Sequence, residues 1–468
     1  MPELPEVENV RRNIAPFCVG KKIRSVEVLR EKNVVTGAEE FLRLVPEKSV
    51  LSLGRKGKYL IFHLSEGYAI VSHLRMEGRY VERHEGDPKE KYDLLAYHFE
   101  DGSKLVYQDT RKFGTIGLYL EKDVMSKSPL AELGGEPFSL SAEDLYSGLL
   151  RHADSPVKSV LLDQSVVAGL GNIYADEVLF AAEIDPRTPC RLLTPLDAER
   201  LLQESRRILQ EAIKEGGSTV HSYHPSEGED GSMQNLLHAY GHANEACCRC
   251  GFRMKRIEIG GRGSVFCPRC QSSRQYPFVL AITGPIHGGK STAARFFAEK
   301  GYAPIDCDEI VRSLYQDKKV LSAMRKSLGR NVATKGALNR EFVREKASSN
   351  PAWNQRLQAF IHPLVKEEVL RRLAQIGPGK KAVLEVPLLL GSGLEDYCDF
   401  VLLVLSDPKH RAARLFAEGK DPEEMLRLNA GYPIGRAKAV ASRIVTNEGS
   451  EKEFLDGLRK LSEEEDLN

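Results

Sequence analysis

Three groups of residues in this 468-residue chain have types and spacings that could do chemistry. The first is Pro2 with Glu3 and Glu6. Removal of Met1 would leave Pro2 as a terminal secondary amine. Free α-amino groups titrate near ~8, so a useful fraction is uncharged and nucleophilic near neutrality. Such an amine can attack a sugar C1′ and form an iminium. The same residues would also make an ordinary helix start, where proline and acidic side chains are favoured. The second group is Cys247-x2-Cys250-x16-Cys267-x2-Cys270, the spacing of a four-thiolate zinc ribbon. With four sulfurs on one ion no position is left for water, so the zinc is expected to be structural. The third is Gly284-x4-Gly289-Lys290-Ser291, a Walker A string. The loop from Gly284 through Pro285, Ile286, His287, Gly288 and Gly289 to Thr292 would cradle ATP phosphates with its backbone amides, Pro285 alone having no N–H to give. Lys290 would neutralise them and Ser291 would ligate Mg²⁺.

Each group needs elements to hold it. Val7, Val10 and Ile14 recur at helical spacing behind Pro2, and Pro16 is expected to end that helix. Alternating or apolar runs at 23–29, 59–64, 68–73, 94–99, 105–107 and 116–120 predict an antiparallel sandwich or barrel, with Pro2 at one mouth. Three basic segments, 54–58, 73–79 and 109–114, read as loops between these strands. Two carry apolar residues, Met76 and Phe113, of a kind that can fill the space left by a displaced nucleotide. Helices are expected at 156–162 and 173–182 around a Gly169-Leu170-Gly171-Asn172 turn, whose amides could meet a phosphate. A longer helix follows at about 195–215, then a polar, glycine-rich loop over 216–235. Between the cysteine knuckles, 260–263 should make a hairpin turn. From Cys247 to Arg274 there are seven Arg or Lys and one acidic residue, a basic patch that the net charge of +1 hides. The Walker string lies between a buried strand at 278–282 and a helix reaching about Lys300. Further apolar strands at 382–385 and 400–405 predict a parallel α/β sheet.

The strings MPELPEVE, GRKGKYL, HLRMEGRY, DTRKFG and GNIYADE resemble the successive signatures of bacterial formamidopyrimidine-DNA glycosylases. The resemblance spans residues 1–274. It implies an enzyme that excises oxidised purines (8-oxoguanine, formamidopyrimidines) from double-stranded DNA and nicks the abasic site by β,δ-elimination. Pro2 would be the nucleophile, Glu3 would handle protons at the sugar, and Lys58 would complete the catalytic group. Lys58, His73, Lys158, Asn172 and Arg262 would hold phosphates. Met76, Arg111 and Phe113 would occupy the gap, with Arg111 facing the orphaned cytosine, and the 216–235 loop would be a lid over the everted base. Leu4 stands where the sister endonuclease VIII group, which acts on oxidised pyrimidines, usually has glycine; that group is the alternative reading.

ITGPIHGGKST, IDCDEI, GALNREFVREKASSN, IHPLV and LEVPLLLGSGLEDYCD resemble dephospho-CoA kinase, over residues 278–468. That family phosphorylates the ribose 3′-hydroxyl of dephospho-CoA, the last step of coenzyme A synthesis. Asp308 matches its proposed base, and could also be a helix N-cap. Some positions depart from the family pattern. Pro285 and His287 replace glycines, Glu418 replaces an arginine that meets ATP, and Asn429, Ala437 and Ser442 replace Gln, Lys and Asp. A degenerate, inactive kinase fold beside an active glycosylase is therefore the second alternative.

The expected architecture is multidomain α/β: a glycosylase catalytic domain (1–135), a helix–two-turn–helix module with the lesion loop (136–235), a zinc finger (236–274) and a P-loop kinase domain (278–468). Apolar runs of membrane-spanning length are missing, as is a signal-peptide core, so a cytoplasmic monomer is expected.

Overall fold

The first helix, Leu4–Cys18, starts on Glu3, whose amide donates to Glu6 Oε2 at 2.8 Å. It outruns the expected stop. Pro16 lies in its last turn and the chain leaves the helix only at Val19, whose amide donates to Ala15 O. The helix has two loyalties. Val7, Val10, Ile14 and Cys18 are buried in the core of the β domain, while Leu4 is buried in the core of the helical module. Leu4 N also donates to Gly169 O at 3.1 Å. Gly169 has φ +103°, and a Cβ there would lie 2.6 Å from the Leu4 side chain. The helix start and the glycine turn are thus fitted to one another.

The computed structural model spans residues 1–468 and describes all of them except 219–231, 335, 388, 420 and 423–431. Eight strands form two four-stranded antiparallel sheets: β1 (Ile23–Val28), β6 (Asp93–Phe99), β7 (Ser103–Gln108) and β5 (Arg79–His84) in one; β2 (Val50–Lys56), β3 (Tyr59–Leu64), β4 (Tyr68–His73) and β8 (Thr115–Leu120) in the other. Their inner faces share one core, centred on Leu60, Phe62, Ile70, Tyr97, Leu105 and Tyr107. Two strands differ from the sequence expectation. Residues 54–56 belong to β2 and Arg79 opens β5. Both strands mix charged and apolar residues, which hides them from a search for alternation.

Helices Ala142–Leu150, Val157–Leu161, Asn172–Ala181 and Pro195–Lys214 build the helical module. The last starts on a Thr194–Asp197 capping box and buries Leu201, Leu202, Ile208 and Leu209. Then β9 (Lys255–Ile259) and β10 (Arg262–Phe266) form a hairpin that turns at Gly260 and Gly261, both at positive φ. Beyond it, β11 (Phe278–Thr283), β12 (Ala303–Asp306), a short pair β13 (Ala333–Thr334) and β14 (Ala337–Leu338), β15 (Lys381–Glu385), β16 (Phe400–Leu405) and β17 (Arg443–Thr446) alternate with helices. Five of these make a parallel sheet in the order β12-β15-β11-β16-β17.

The chain divides into two compact units: residues 1–243 with 258–266, and residues 244–257 with 267–468. The tip of the hairpin belongs to the first unit and all four knuckle cysteines to the second. Among the described residues, no helix is long and apolar enough to cross a membrane.

Candidate active sites

In the first unit, one cavity of about 820 Å³ gathers most of the residues singled out in the sequence. Pro2, Glu3, Lys58, His73, Met76, Arg111, Asn172 and Arg262 all line it, with Met1 exposed at its edge. The strand register explains part of this. Tyr59 pairs with His73 across β3 and β4, and His73 pairs with Thr115 on β8, so the turn carrying Lys58 lies beside the end of β4. That turn is fixed from below: Arg55 ion-pairs with Glu8 and Glu136, and Gly57 N donates to Glu136 Oε1.

Glu3 is the most constrained group. Its carboxylate accepts from Gly171 N at 2.5 Å, Ile173 N at 2.9 Å and Tyr174 N at 3.4 Å. It therefore sits at the N-terminus of the helix Asn172–Ala181, where free amides and the helix dipole favour an anion. A Cβ on Gly171 would lie 2.4 Å from the Glu3 carboxyl carbon, so the glycine is what admits it. Burial nonetheless raises the Glu3 pKa, against the pull of Lys58 and the amides. Burial likewise lowers that of Lys58, against Glu3 and Glu6. Glu6 accepts from Tyr174 OH at 2.6 Å and Ser218 N at 2.9 Å. The result is a dry cluster in which a carboxyl can hold a proton and an amine can lose one.

His73 Nδ1 accepts from Arg75 N at 2.9 Å, which leaves Nε2 as the proton carrier of a neutral ring. Burial, then Arg75 and Lys58, push its pKa down to about 3. On the next loop, buried Asp109 acts as a staple. Its Oδ1 accepts from Arg111 N and its Oδ2 from Phe113 N and Gly114 N, all at 2.8–2.9 Å. Sequence reading passed over Asp109, although an Asp before a tight polar loop is a signal for such bonds. Phe113 does not line the cavity. It is 56 % exposed, with the Arg111 guanidinium 5.2 Å above its ring.

Lys158 needs correcting. Its side chain is wholly buried, with Nζ 2.7 Å from Asp176 Oδ1 and 2.9 Å from Gly263 O. As it stands the ammonium cannot meet a phosphate. It ties the helical module to the hairpin that carries Arg262, as does Asn172 Nδ2, 3.0 Å from the same carbonyl. Among the described residues, Asn172 Oδ1 is buried without a partner. The lid expected at 216–235 falls mostly on residues 219–231, outside the described ones.

In the second unit the four cysteine sulfurs lie within 4.8 Å of one another, with Cys247 to Cys270 at 3.9 Å and Cys250 to Cys267 at 3.5 Å. A tetrahedral zinc with bonds of ~2.3 Å requires sulfur separations of ~3.8 Å, so the donor set fits that ion. Cys248 is exposed and no member of the cluster.

The Walker loop opens on a second cavity, of about 580 Å³. Ile286, His287, Gly289, Lys290, Ser291 and Thr292 line it; Gly284, Pro285 and Gly288 do not. Gly284 instead gives close approach: its φ is +150° and a Cβ would lie 2.1 Å from Val404 O. Lys290 Nζ donates to Pro285 O at 2.9 Å, and Ser291 Oγ to Glu385 Oε1 at 2.6 Å. β11 runs into this loop, and Asp306 and Glu385 end β12 and β15, so the groups gather at the carboxyl edge of the sheet. The helix cap here is Asp306, which accepts from Asp308 N and Glu309 N; Asp308 is left to line the cavity. Burial and then Asp306 raise the Asp308 pKa. Glu385, Arg414 and Asn447 were not foreseen. Arg414 Nη1 donates to His287 O and Nη2 to Asn447 Oδ1, and Asn447 Nδ2 donates to Gly288 O.

Two departures from the family pattern meet here. His287 adopts the left-handed φ of +54° that a glycine would take at lower cost. Its Nδ1 lies 3.4 Å from Glu418 Oε1. Asn429 is outside the described residues.

Comparison with known proteins divides the chain after the four-cysteine ribbon, whereas the two compact units divide within it. The model of the formamidopyrimidine-DNA glycosylase N-terminal domain matches residues 1–116, that of its H2TH domain 133–224, that of the zinc finger found in FPG and IleRS 244–272, and that of dephospho-CoA kinase 278–453. The formamidopyrimidine-DNA glycosylases of Streptococcus pneumoniae and Streptococcus mutans are 43 % and 46 % identical over 272 and 275 residues, covering 58 % of this chain and 99 % of each relative. The crystal structure of Lactococcus lactis Fpg with DNA containing an abasic site matches at 40 % identity and a TM-score of 0.54, covering 58 % of this chain and 99 % of that one. The chain belongs to the formamidopyrimidine-DNA glycosylase family and joins that protein to a dephospho-CoA kinase domain.

Proposed function

We propose that the first unit excises oxidised purines from duplex DNA through Pro2, and that the second phosphorylates dephospho-CoA with ATP. The observation that carries the first reading is the seating of Glu3 on the amides of Gly171 and Ile173, in one cavity with Pro2 and Lys58. Once Met1 is removed, the Pro2 nitrogen gives its lone pair to C1′ of an everted nucleotide. The bond from C1′ to the base breaks, and the base leaves with the bonding pair and takes up the proton that the Pro2 nitrogen sheds. Opening of the sugar ring leaves an iminium on C1′, and Glu3, with its raised pKa, supplies the proton to the ring oxygen. Loss of a C2′ proton then expels the 3′ phosphate, and a second elimination expels the 5′ phosphate. Lys58, neutral His73 through Nε2, and Arg262 donate to phosphates. Met76 and Arg111 fill the vacated stack, with Phe113 beside them. Lys158 and Asn172 are positioning residues that hold the hairpin.

In the kinase cavity, the 3′-hydroxyl oxygen of dephospho-CoA attacks the γ-phosphorus of ATP, its proton passes to Asp308, and ADP leaves. Ser291 and Glu385 would hold Mg²⁺, which when bound offsets phosphate charge.

The test is borohydride reduction of the purified protein with duplex DNA containing 8-oxoguanine, followed by mass spectrometry. A DNA adduct on a peptide beginning at Pro2 is expected. Base excision and trapping that persist in Pro2→Gly, or with the terminus blocked, would overturn the mechanism. An oxidised-pyrimidine duplex processed faster would favour the endonuclease VIII-like alternative.

A further inference from the structure

Both cysteine knuckles belong to the same compact unit as the kinase sheet, and each carries a side chain plugged into that domain. In the first knuckle, Phe252 O accepts from Cys247 N at 2.8 Å, so Phe252 is stapled to a metal ligand. Its buried ring lies edge-on to Phe278 at 5.9 Å and tilted against Phe400 at 6.0 Å. Those two residues open β11 and β16, neighbouring central strands of the kinase sheet. In the second knuckle, Arg269 lies between Cys267 and Cys270. Its guanidinium covers the Phe252 ring at 4.6 Å, donates to the carbonyls of Glu465 and Asp466 at 3.1 and 3.0 Å, and ion-pairs with the Asp466 carboxylate at 2.9 Å. Glu465 and Asp466 directly follow the helix Glu451–Glu464. Lys255, at the root of the hairpin, donates to Glu395 O at 2.7 Å and to Cys398 O, just before β16.

Such a set of contacts is a core, not a chance touch. An aromatic trio with a cation on its face is oriented as well as apolar. The last carbonyls after a helix are groups that a fold must satisfy, and here a guanidinium from the ribbon satisfies them. β11 leads within one residue into the phosphate loop.

We infer that the zinc ribbon is a structural part of the kinase domain: zinc held by the knuckles stabilises β11, β16 and the helix Glu451–Glu464, and these hold the zinc in return. Metal binding that orders a fold is by linkage stabilised by that fold.

The experiment uses the full chain. Hydrogen exchange is followed by mass spectrometry on zinc-loaded protein and on protein stripped by a chelator. Exchange should rise about tenfold in Phe278–Thr283, Phe400–Leu405 and Glu451–Glu464 as well as in the knuckles. A rise confined to residues 244–272 would overturn the inference. Independently, Arg269→Leu and Lys255→Met should release zinc to a challenge chelator about tenfold faster than the parent. An unchanged release rate in both would also overturn it. Should either variant fail to fold, the exchange comparison on the parent protein decides.

Discussion

The two catalytic cavities solve the problem of buried charge in opposite ways. In the glycosylase cavity the charged groups are held by the fold. Glu3 rests on amides of the Gly171 turn, Glu6 on Tyr174 and Ser218, and His73 on its own loop. In the kinase cavity the side chains that would meet nucleotide are already bonded within the protein. Lys290 reaches back to Pro285 O and Ser291 binds Glu385. The first site is set before substrate arrives; the second must exchange internal bonds for phosphate oxygens when nucleotide binds. Preorganisation of the first kind shows in rate, and reorganisation of the second kind shows in affinity.

The largest effect should follow from Glu3→Gln. The amide removes the proton donor and keeps the size but gives up one of the bonds accepted from the helix-start amides, so DNA affinity should fall far less than excision, which should drop by ~10²–10⁴. Single-turnover excision of 8-oxoguanine measures it. A loss of affinity equal to the loss of rate would mean that Glu3 only supports the helix start, and the contrast between the two cavities would fail.

His73 tests the same contrast through pH. Its folded pKa of about 3 lies below the ordinary histidine value of 6.5. Above 6.5 the ring is neutral in both folded and unfolded chains and burial is fully compensated. Between 6.5 and 3 the unfolded chain binds a proton that the folded one refuses, so stability falls as the pH drops through that window. The cost should reach a few kcal/mol near pH 3. His73→Gln, which cannot titrate, should flatten the fall of the urea midpoint across that window. An equal slope in both proteins would show that the ring is not as dry as its surroundings imply.

What the sequence disclosed follows the same division. Short-range patterns were legible. The cysteine spacing marked the ribbon, the Walker string marked the phosphate loop, and six of the eight sandwich strands stood out by alternation. β2 and β5 did not, because charged residues such as Arg55 and Arg83, held in ion pairs, interrupt their apolar period. Chemistry that depends on distant pairs was legible only by resemblance. Nothing near Glu3 announces that Gly171 must lack a side chain for it, and Lys158 looked like a phosphate ligand until Asp176 and Gly263 were seen to claim its ammonium. The plug of Phe252 and Arg269 into the kinase sheet was illegible for the same reason: its partners lie 26 to 197 residues further along the chain.

The smallest effect concerns Glu418, a negative charge at the edge of a phosphate cavity. Its side chain is 47 % exposed, so solvent weakens its field, and His287, 3.4 Å away, can pair with it when protonated. Glu418→Gln should therefore strengthen ATP binding only about two- to fivefold at low salt, and less at physiological ionic strength. Titration with a fluorescent ATP analogue at two salt concentrations reads this directly. His287→Gly should relieve the left-handed strain but leave Glu418 unscreened, so on its own it should weaken binding; combined with Glu418→Gln it should bind better than either single variant. If the double variant instead equals the sum of the singles, the pair is not coupled, and the two departures act on the loop separately.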